Sequence, residues 1–306
     1  MNDLRLTLLV LALIFVALLP ISRRLAMAYG RLALLLCVAT VMLSPFAWLV
    51  CASFKDKAVL NQYLFLPPPS MLSASTINLD NFRDLLKPRE SMQGPVGFWR
   101  YAGNSFFLAS VGTVVSLVFS SMGGFAIAKY RFRGQKVLLA YMLASMTIPA
   151  VILLAPNFAI IWRLGWMDTY AALIIPSCVS AFGIFLFRQA MISIPNELLE
   201  AARIDGWGEL RIYLRLVMPL VRPMSGAFCL LSFLGSWNSF LAPNIYLQTQ
   251  SKLPLPVVLN QYLGVYIQQY GIFLAGTLLA MIPPAIVFLA LQREFISGLT
   301  SGAVKQ

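Results

Sequence analysis

The residues able to engage in specific chemistry are few, and most of them fall in one polar stretch. Glu200-Ala201-Ala202 is followed after three residues by Gly206, and Pro219 comes after a further twelve. Pro195 suits the first position of a helix, where its missing N–H costs nothing. Glu197 and Glu200 follow in the opening turns, where carboxylates favour the positive end of the helix dipole. Leu198, Ala201, Ala202 and Asp205 repeat at i, i+3, i+4, i+7 and share a face. Gly206 can stop this helix in a left-handed cap, and Leu210, Ile212, Leu214 and Val217 supply apolar surface to a second short helix. The spacing predicts a helix–glycine–helix unit between two apolar runs. Ala201 and Ala202 keep its surface low, Glu200 presents a carboxylate able to make a charge-assisted hydrogen bond, and Asp205 can cap locally.

Covalent chemistry is poorly supplied. The 306 residues contain no His, which removes Ser-His-Asp triads and His-based zinc sites. The four cysteines, Cys37, Cys51, Cys178 and Cys229, lie in or at the end of apolar runs with no CxxC spacing, and read as packing thiols. No GxxxxGK[ST] stretch occurs, so a phosphate-cradling loop must come from another polypeptide and the chain itself is not expected to be an enzyme. Asp205-Gly206 lacks the neighbouring acidic ligands that a metal-dependent lipid transferase needs, and no metal site is expected. Asn157, Ser177, Ser180 and Asn238 are polar groups inside apolar runs, and either line a pathway or hydrogen-bond between helices.

The elements that must position these residues are membrane spans. Hydrophobic residues make up 59% of the chain and charged residues 11%, against about 25% charge in a soluble domain. Seven apolar runs approach the ~20 residues a spanning helix needs: 4–21, 32–52, 104–128, 137–161, 171–190, 224–244 and 271–291. Arg163 and Asp168 belong in a loop, since a charge at the bilayer centre costs about 2.5–3.5 kcal/mol, with Trp162, Trp166 and Tyr170 as an interfacial belt. The net charge of +12 would suggest nucleic acid on a soluble chain. Here 14 of the positive charges, including Arg23, Arg24, Arg31, Lys129–Lys136 and Arg188–Arg222, fall on alternate loops. That pattern sets topology, with no role for nucleic acid. It places loops 129–136 and 191–223 and the C-terminus in the cytoplasm, and the long loop 53–103 outside. Residues 1–30 are expected to form a retained extra helix and linker; Arg23 and Arg24 after the apolar core argue against a cleaved signal peptide. Residues 31–306 form the main transmembrane domain.

Packing signals are consistent with this. Ser116, Ser120, Gly124 and Ala128 make a small-residue stripe for close helix contact. Pro149, Pro156 and Pro176 should kink or unwind their helices, as should Pro283-Pro284.

The loop, taken with its membrane position, resembles the EAA loop of bacterial ABC-importer permeases, and Glu-Ala-Ala-Arg-Ile-Asp-Gly at 200–206 resembles the sugar-type, maltose-permease class. Leu216 and Met218 are mild departures from the Ile and Leu usual there. Ser53-Phe54-Lys55, Asn81-Phe82, Asn104-Ser105, Ala126-Ile127-Ala128, Arg131-Phe132-Arg133-Gly134, Trp237-Asn238 with Phe240, and the tail Phe295–Lys305 also agree with that class. The resemblance covers 30–306 and implies an all-α polytopic membrane protein with a six-helix (MetI-like) permease core, preceded here by the extra N-terminal helix. It implies a coupling loop built on Glu200, Ala201, Ala202, Asp205, Gly206 and Pro219. It also implies a second permease subunit, two ATP-binding subunits that hold ATP and Mg, an external solute-binding protein that loop 53–103 would dock, and a carbohydrate-type solute carried across the bacterial inner membrane. Asn238, Trp237, Asn157 and Ser177 are the candidates for the substrate path; Trp237 would stack on a sugar ring or sit in a belt. An ion-coupled secondary transporter is the alternative, and it would need intramembrane ionisable relays.

Overall fold

A computed structural model describes residues 23–92, 94–264 and 269–303. The expected span over 4–21 lies outside the described residues, as does Lys305 in the tail. Among the described residues the chain is all helix, with only two isolated bridges, Lys55 to Ile77 and Arg89 to Val96. It divides into two units, 1–81 and 82–306.

In the first unit, α1 (Arg23–Ser53) is a 31-residue helix. Its stretch Met27–Ser53 has a mean hydropathy of 2.3 and is 6% buried within the chain. An apolar helix so lightly covered suits lipid rather than water. The turn that follows is held by buried polar groups. The fully buried Lys55 donates through Nζ to the carbonyls of Tyr63 (2.6 Å) and Leu64 (3.2 Å). Asn81 donates through Nδ2 to the carbonyls of Ser53 (3.0 Å) and Lys55 (2.8 Å). Two of the motif fragments noted in the sequence are thus the ends of one internal clamp.

The second unit is built around α2 (Phe98–Lys129). It continues through α3 (Gln135–Ser145), α4 (Leu154–Arg163), α5 (Ala181–Ile192), α6 (Asn196–Ile204), α7 (Arg222–Trp237), α8 (Tyr270–Ala280) and α9 (Ile282–Ala303). The expected spans 137–161 and 171–190 are not continuous helices. The first breaks into α3 and α4 around Pro149, and the second into Ala171–Ile174 and α5 around Pro176, because proline removes a backbone donor and clashes with the preceding turn. Pro156 does not break its helix: it lies in the first turn of α4, where the N–H has no helical partner to lose. Pro283 and Pro284 occupy the equivalent place at the start of α9.

The small-residue stripe of α2 faces α5. A Cβ on Gly124 would lie 2.5 Å from Phe187 Cβ, and one on Gly183 would lie 2.8 Å from Ser120 Cβ. Each helix gives up side-chain volume where the other crosses, which is how membrane helices gain packing energy without a hydrophobic drive. The α7–α9 pair repeats the device with Gly226 against Glu294 and Gly298 against Pro223.

Candidate functional site: a docking loop and a transmembrane cavity

At the C-terminal end of α2 lies the helix–glycine–helix unit. Pro195 precedes α6 as its cap residue rather than opening it (φ −58°, ψ 138°). The helix ends at Gly206, φ +78°. The Gly206 N–H donates to the Arg203 carbonyl (3.0 Å) and the Trp207 N–H to the Ala202 carbonyl (2.9 Å), the paired bonds of a Schellman ending. Space around Gly206 is open, so the requirement for glycine is the left-handed backbone alone.

Of the face predicted for α6, only Ala202 turns inward; it packs with Leu199, 2% exposed, against Phe125, Phe187, Tyr213 and Val217. Leu198, Ala201 and Asp205 face outward, together with Glu200 and Ile204, the last 86% exposed. The Glu200 carboxylate has no partner among the described residues. The second helix divides similarly: Ile212 and Val217 are buried, whereas Leu210 and Leu214 are exposed. It runs from Glu209–Ile212 through a π-turn at Tyr213–Val217 to Met218–Leu220, where Pro219 sits, and then meets α7 at a bend of 83°.

The loop is fastened to α2 by polar contacts. Tyr213 Oη and Ser121 Oγ share a buried hydrogen bond of 2.6 Å. Lys129 donates to the Ile194 carbonyl and to Asn196 Oδ1 (3.1 Å). Tyr130 donates to Glu209, which also accepts from Arg203 at 2.8 Å. Those donors, Arg203 first and Tyr130 second, hold the Glu209 carboxyl below its ordinary pKa. Burial, and then the same carboxylate, push the Tyr130 phenol up.

At the other end of α2 the chain closes on itself. Asn104 Nδ2 donates to the carbonyls of Ser251 (2.8 Å) and Leu253 (3.0 Å), and Ser105 Oγ accepts from the Leu255 N–H (2.7 Å). Asp168, at φ +57° in the turn after α4, accepts from the backbone of Gln248 (3.0 Å) and Thr249 (2.9 Å), from the Thr249 hydroxyl (2.6 Å) and from Lys252 (2.8 Å). Partial burial opposes ionisation of Asp168, but the bonds from Lys252 and Thr249 prevail and hold its pKa well below the carboxylate range.

Between these ends is a cavity of about 710 Å³, bounded by α2, α4, the Pro176 break and α7. Asn157, Ser177 and Asn238 line it, and Ser232, Ser236 and Ser239 join them from α7 and its end. A second hollow of about 400 Å³ shares Ser177 and Ser232 with the first and adds Ser116 and Ser180. Trp237 lies elsewhere. It is 3% exposed, stacks on Phe233 (5.8 Å between rings) and donates to the Ala280 carbonyl at 3.2 Å.

The sequence over residues 97–299 matches the family described as binding-protein-dependent transport system inner membrane component. The chain belongs to that family. The permease is 36% identical to the arabinooligosaccharides transport system permease protein AraQ of Halalkalibacterium halodurans, over 88% of this chain and 93% of the relative. It is 30% identical to the lactose transport system permease protein LacG of Rhizobium radiobacter, over 87% and 92%. In structure it resembles a chain of a bacterial ABC transporter involved in the import of the acidic polysaccharide alginate, with a TM-score of 0.75 and 26% identity, covering 90% of this chain and 98% of that one. The fold is therefore that of an ABC-importer permease, all-α and polytopic, and the protein is a membrane component.

Three of the four sequence candidates for the path, Asn157, Ser177 and Asn238, come together in this permease; Trp237 is directed away from them. The α7 serines were missed. Ser232, Ser236 and Ser239 follow i, i+4, i+7 spacing, a polar stripe opposite the buried Leu230, Phe233 and Trp237. That spacing was the available signal.

Proposed function

We propose that this permease moves a carbohydrate or related polyol into the cell through the serine-lined cavity, by alternating access driven by ATP on partner subunits. The observation that carries the reading is the cavity wall: polar groups that exchange hydrogen bonds with hydroxyls, on a permease whose relatives are named for arabinooligosaccharides, lactose and sn-glycerol 3-phosphate. An ion-coupled mechanism would need a charged relay, and no Asp, Glu, Lys or Arg is among the described residues that line the cavity.

In this reading the outward face of α6, with Glu200, Ala201, Asp205 and Ile204, docks on an ATP-binding subunit, while Gly206 and Pro219 set the angle of the second helix. Two such subunits bind ATP and Mg, a second permease completes the pathway, and an external binding protein delivers solute to the side of loop 53–103. The docking loop then faces the cytoplasm, in agreement with the placement of basic residues. Residues 1–30 add a membrane anchor, and the linker expected before residue 31 is, from Arg23 on, the opening of α1.

Co-purification from native membranes in mild detergent tests the assembly; an ATP-binding subunit, a second permease and a binding protein are expected. Recovery of the chain alone, with uptake that follows an ion gradient, would overturn it. Glu200→Ala should lower ATP-dependent uptake about tenfold, the loss of one charge-assisted contact, while the subunit still inserts. Wild-type uptake in that variant would remove Glu200 from the contact.

A further inference from the structure

The cavity wall is more selective than "polar". Asn157, Ser232, Ser236, Asn238 and Ser239 all face the cavity, and none of their side chains has a hydrogen-bond partner among the described residues. Their amides and hydroxyls are available to a guest. The described residues lining the cavity include no Asp, Glu, Lys or Arg, and the same holds for the adjoining hollow with Ser116 and Ser180. Asp168 and Lys252, outside the cavity lining, are paired with each other. The other atoms of the wall are mostly apolar: Leu108, Leu154, Ile161 and Leu241 among them.

Such a wall treats two classes of guest differently. A neutral polyhydroxylated solute replaces its water bonds with those of unengaged hydroxyls and amides. A carboxylate or phosphate brought to the same place loses its hydration and meets no countercharge, the costly case for a buried ion. We infer that the solute of this importer is uncharged, a neutral oligosaccharide or polyol, and that anionic sugars such as uronates and glycerol phosphates are excluded by this subunit's half of the passage. The inference rests on the proposed role of the cavity as the path. It separates this permease from its structural neighbour, which belongs to an importer of an acidic polysaccharide.

The test is uptake by the complete assembly in ATP-loaded proteoliposomes. The labelled probes are an arabino-oligosaccharide, lactose, an alginate oligosaccharide and glycerol 3-phosphate, followed by a wider sugar and polyol library. Each solute that is accumulated is scored by its charge. Neutral solutes should be taken up at least ~tenfold faster than any anionic one, given the cost of a charge in a membrane interior. Equal or faster uptake of an acidic solute would overturn the inference.

Ser236→Trp and, separately, Ser239→Trp obstruct the cavity, with assembly checked by co-purification of the partners. Blocked uptake together with an acidic solute would sink the neutral-solute inference and leave the path standing. Undiminished uptake in both obstructed variants would remove the path, and the inference with it.

Discussion

The two ends of α2 use polar side chains in opposite ways. At its N-terminal end, Asn104, Ser105 and Asp168 spend their hydrogen-bonding capacity on the backbone of 248–255. At its C-terminal end, Tyr130 and Lys129 fasten the loop, yet the outer face of that loop leaves Glu200 unpartnered and Ile204, Leu210 and Leu214 exposed. One end is a finished joint and the other a prepared surface. The density of internal hydrogen bonds, rather than polarity as such, separates residues that hold the fold from residues left exposed on its surface.

The sharpest way to break the contrast is Asn104→Ala. It strips a donor from two carbonyls, one in a buried and one in a part-buried hydrogen bond, and should destabilise the purified permease by about 2–3 kcal/mol. Thermal unfolding in detergent would read this as a clear drop in Tm, and an unchanged Tm would mean that the joint is not structural.

A smaller effect is expected at Asp168. Its carboxyl is held below the ordinary range in the folded chain, so the ionised form is the one that folding favours. That contribution is complete above the unfolded pKa of about 3.9 and is lost as pH falls from there toward the lower folded value. Asp168→Asn should therefore lower Tm at neutral pH and flatten the loss of stability in acid. A variant that loses stability in acid as steeply as the wild type would place the acid-sensitive group elsewhere.

The smallest effect sharpens the comparison from the other side. Ile204→Ser changes an 86% exposed side chain and should move stability by no more than about 0.5 kcal/mol. Its consequence should appear only as weaker retention of the ATP-binding subunit in the co-purified complex. A large fall in Tm would show that the exposed face is part of the fold after all.

Much of this organisation was legible in the sequence because it depends on backbone chemistry. The left-handed stop at Gly206 and the breaks at Pro149 and Pro176 follow from what those residues can and cannot do with φ and a backbone donor. Direction was harder to read. The face shared by Leu198, Ala201, Ala202 and Asp205 was visible as periodicity, but periodicity does not say whether the partner is the chain's own core or another molecule. Leu210 and Leu214 count as apolar whether they point in or out, and Trp237 could not be oriented from its identity alone. The break inside the expected span 224–244, which ends as α7 at Trp237 and resumes at Leu241–Tyr246, was hidden, since hydropathy sums over residues and ignores whether their backbone is continuous. The π-turn at 213–217 left no mark that residue type reveals.

The unengaged serines have one more consequence. A hydroxyl on a single rotatable bond donates or accepts as the guest requires, unlike an arginine fork or a carboxylate, whose geometry is set in advance. Ser232, Ser236 and Ser239 therefore impose no fixed order of donors and acceptors on that wall, and the two amides of Asn157 and Asn238 are its directional groups. If the cavity is the path, stereochemical preference among neutral sugars should respond more to Asn157→Ala or Asn238→Ala than to the loss of any one of these serines.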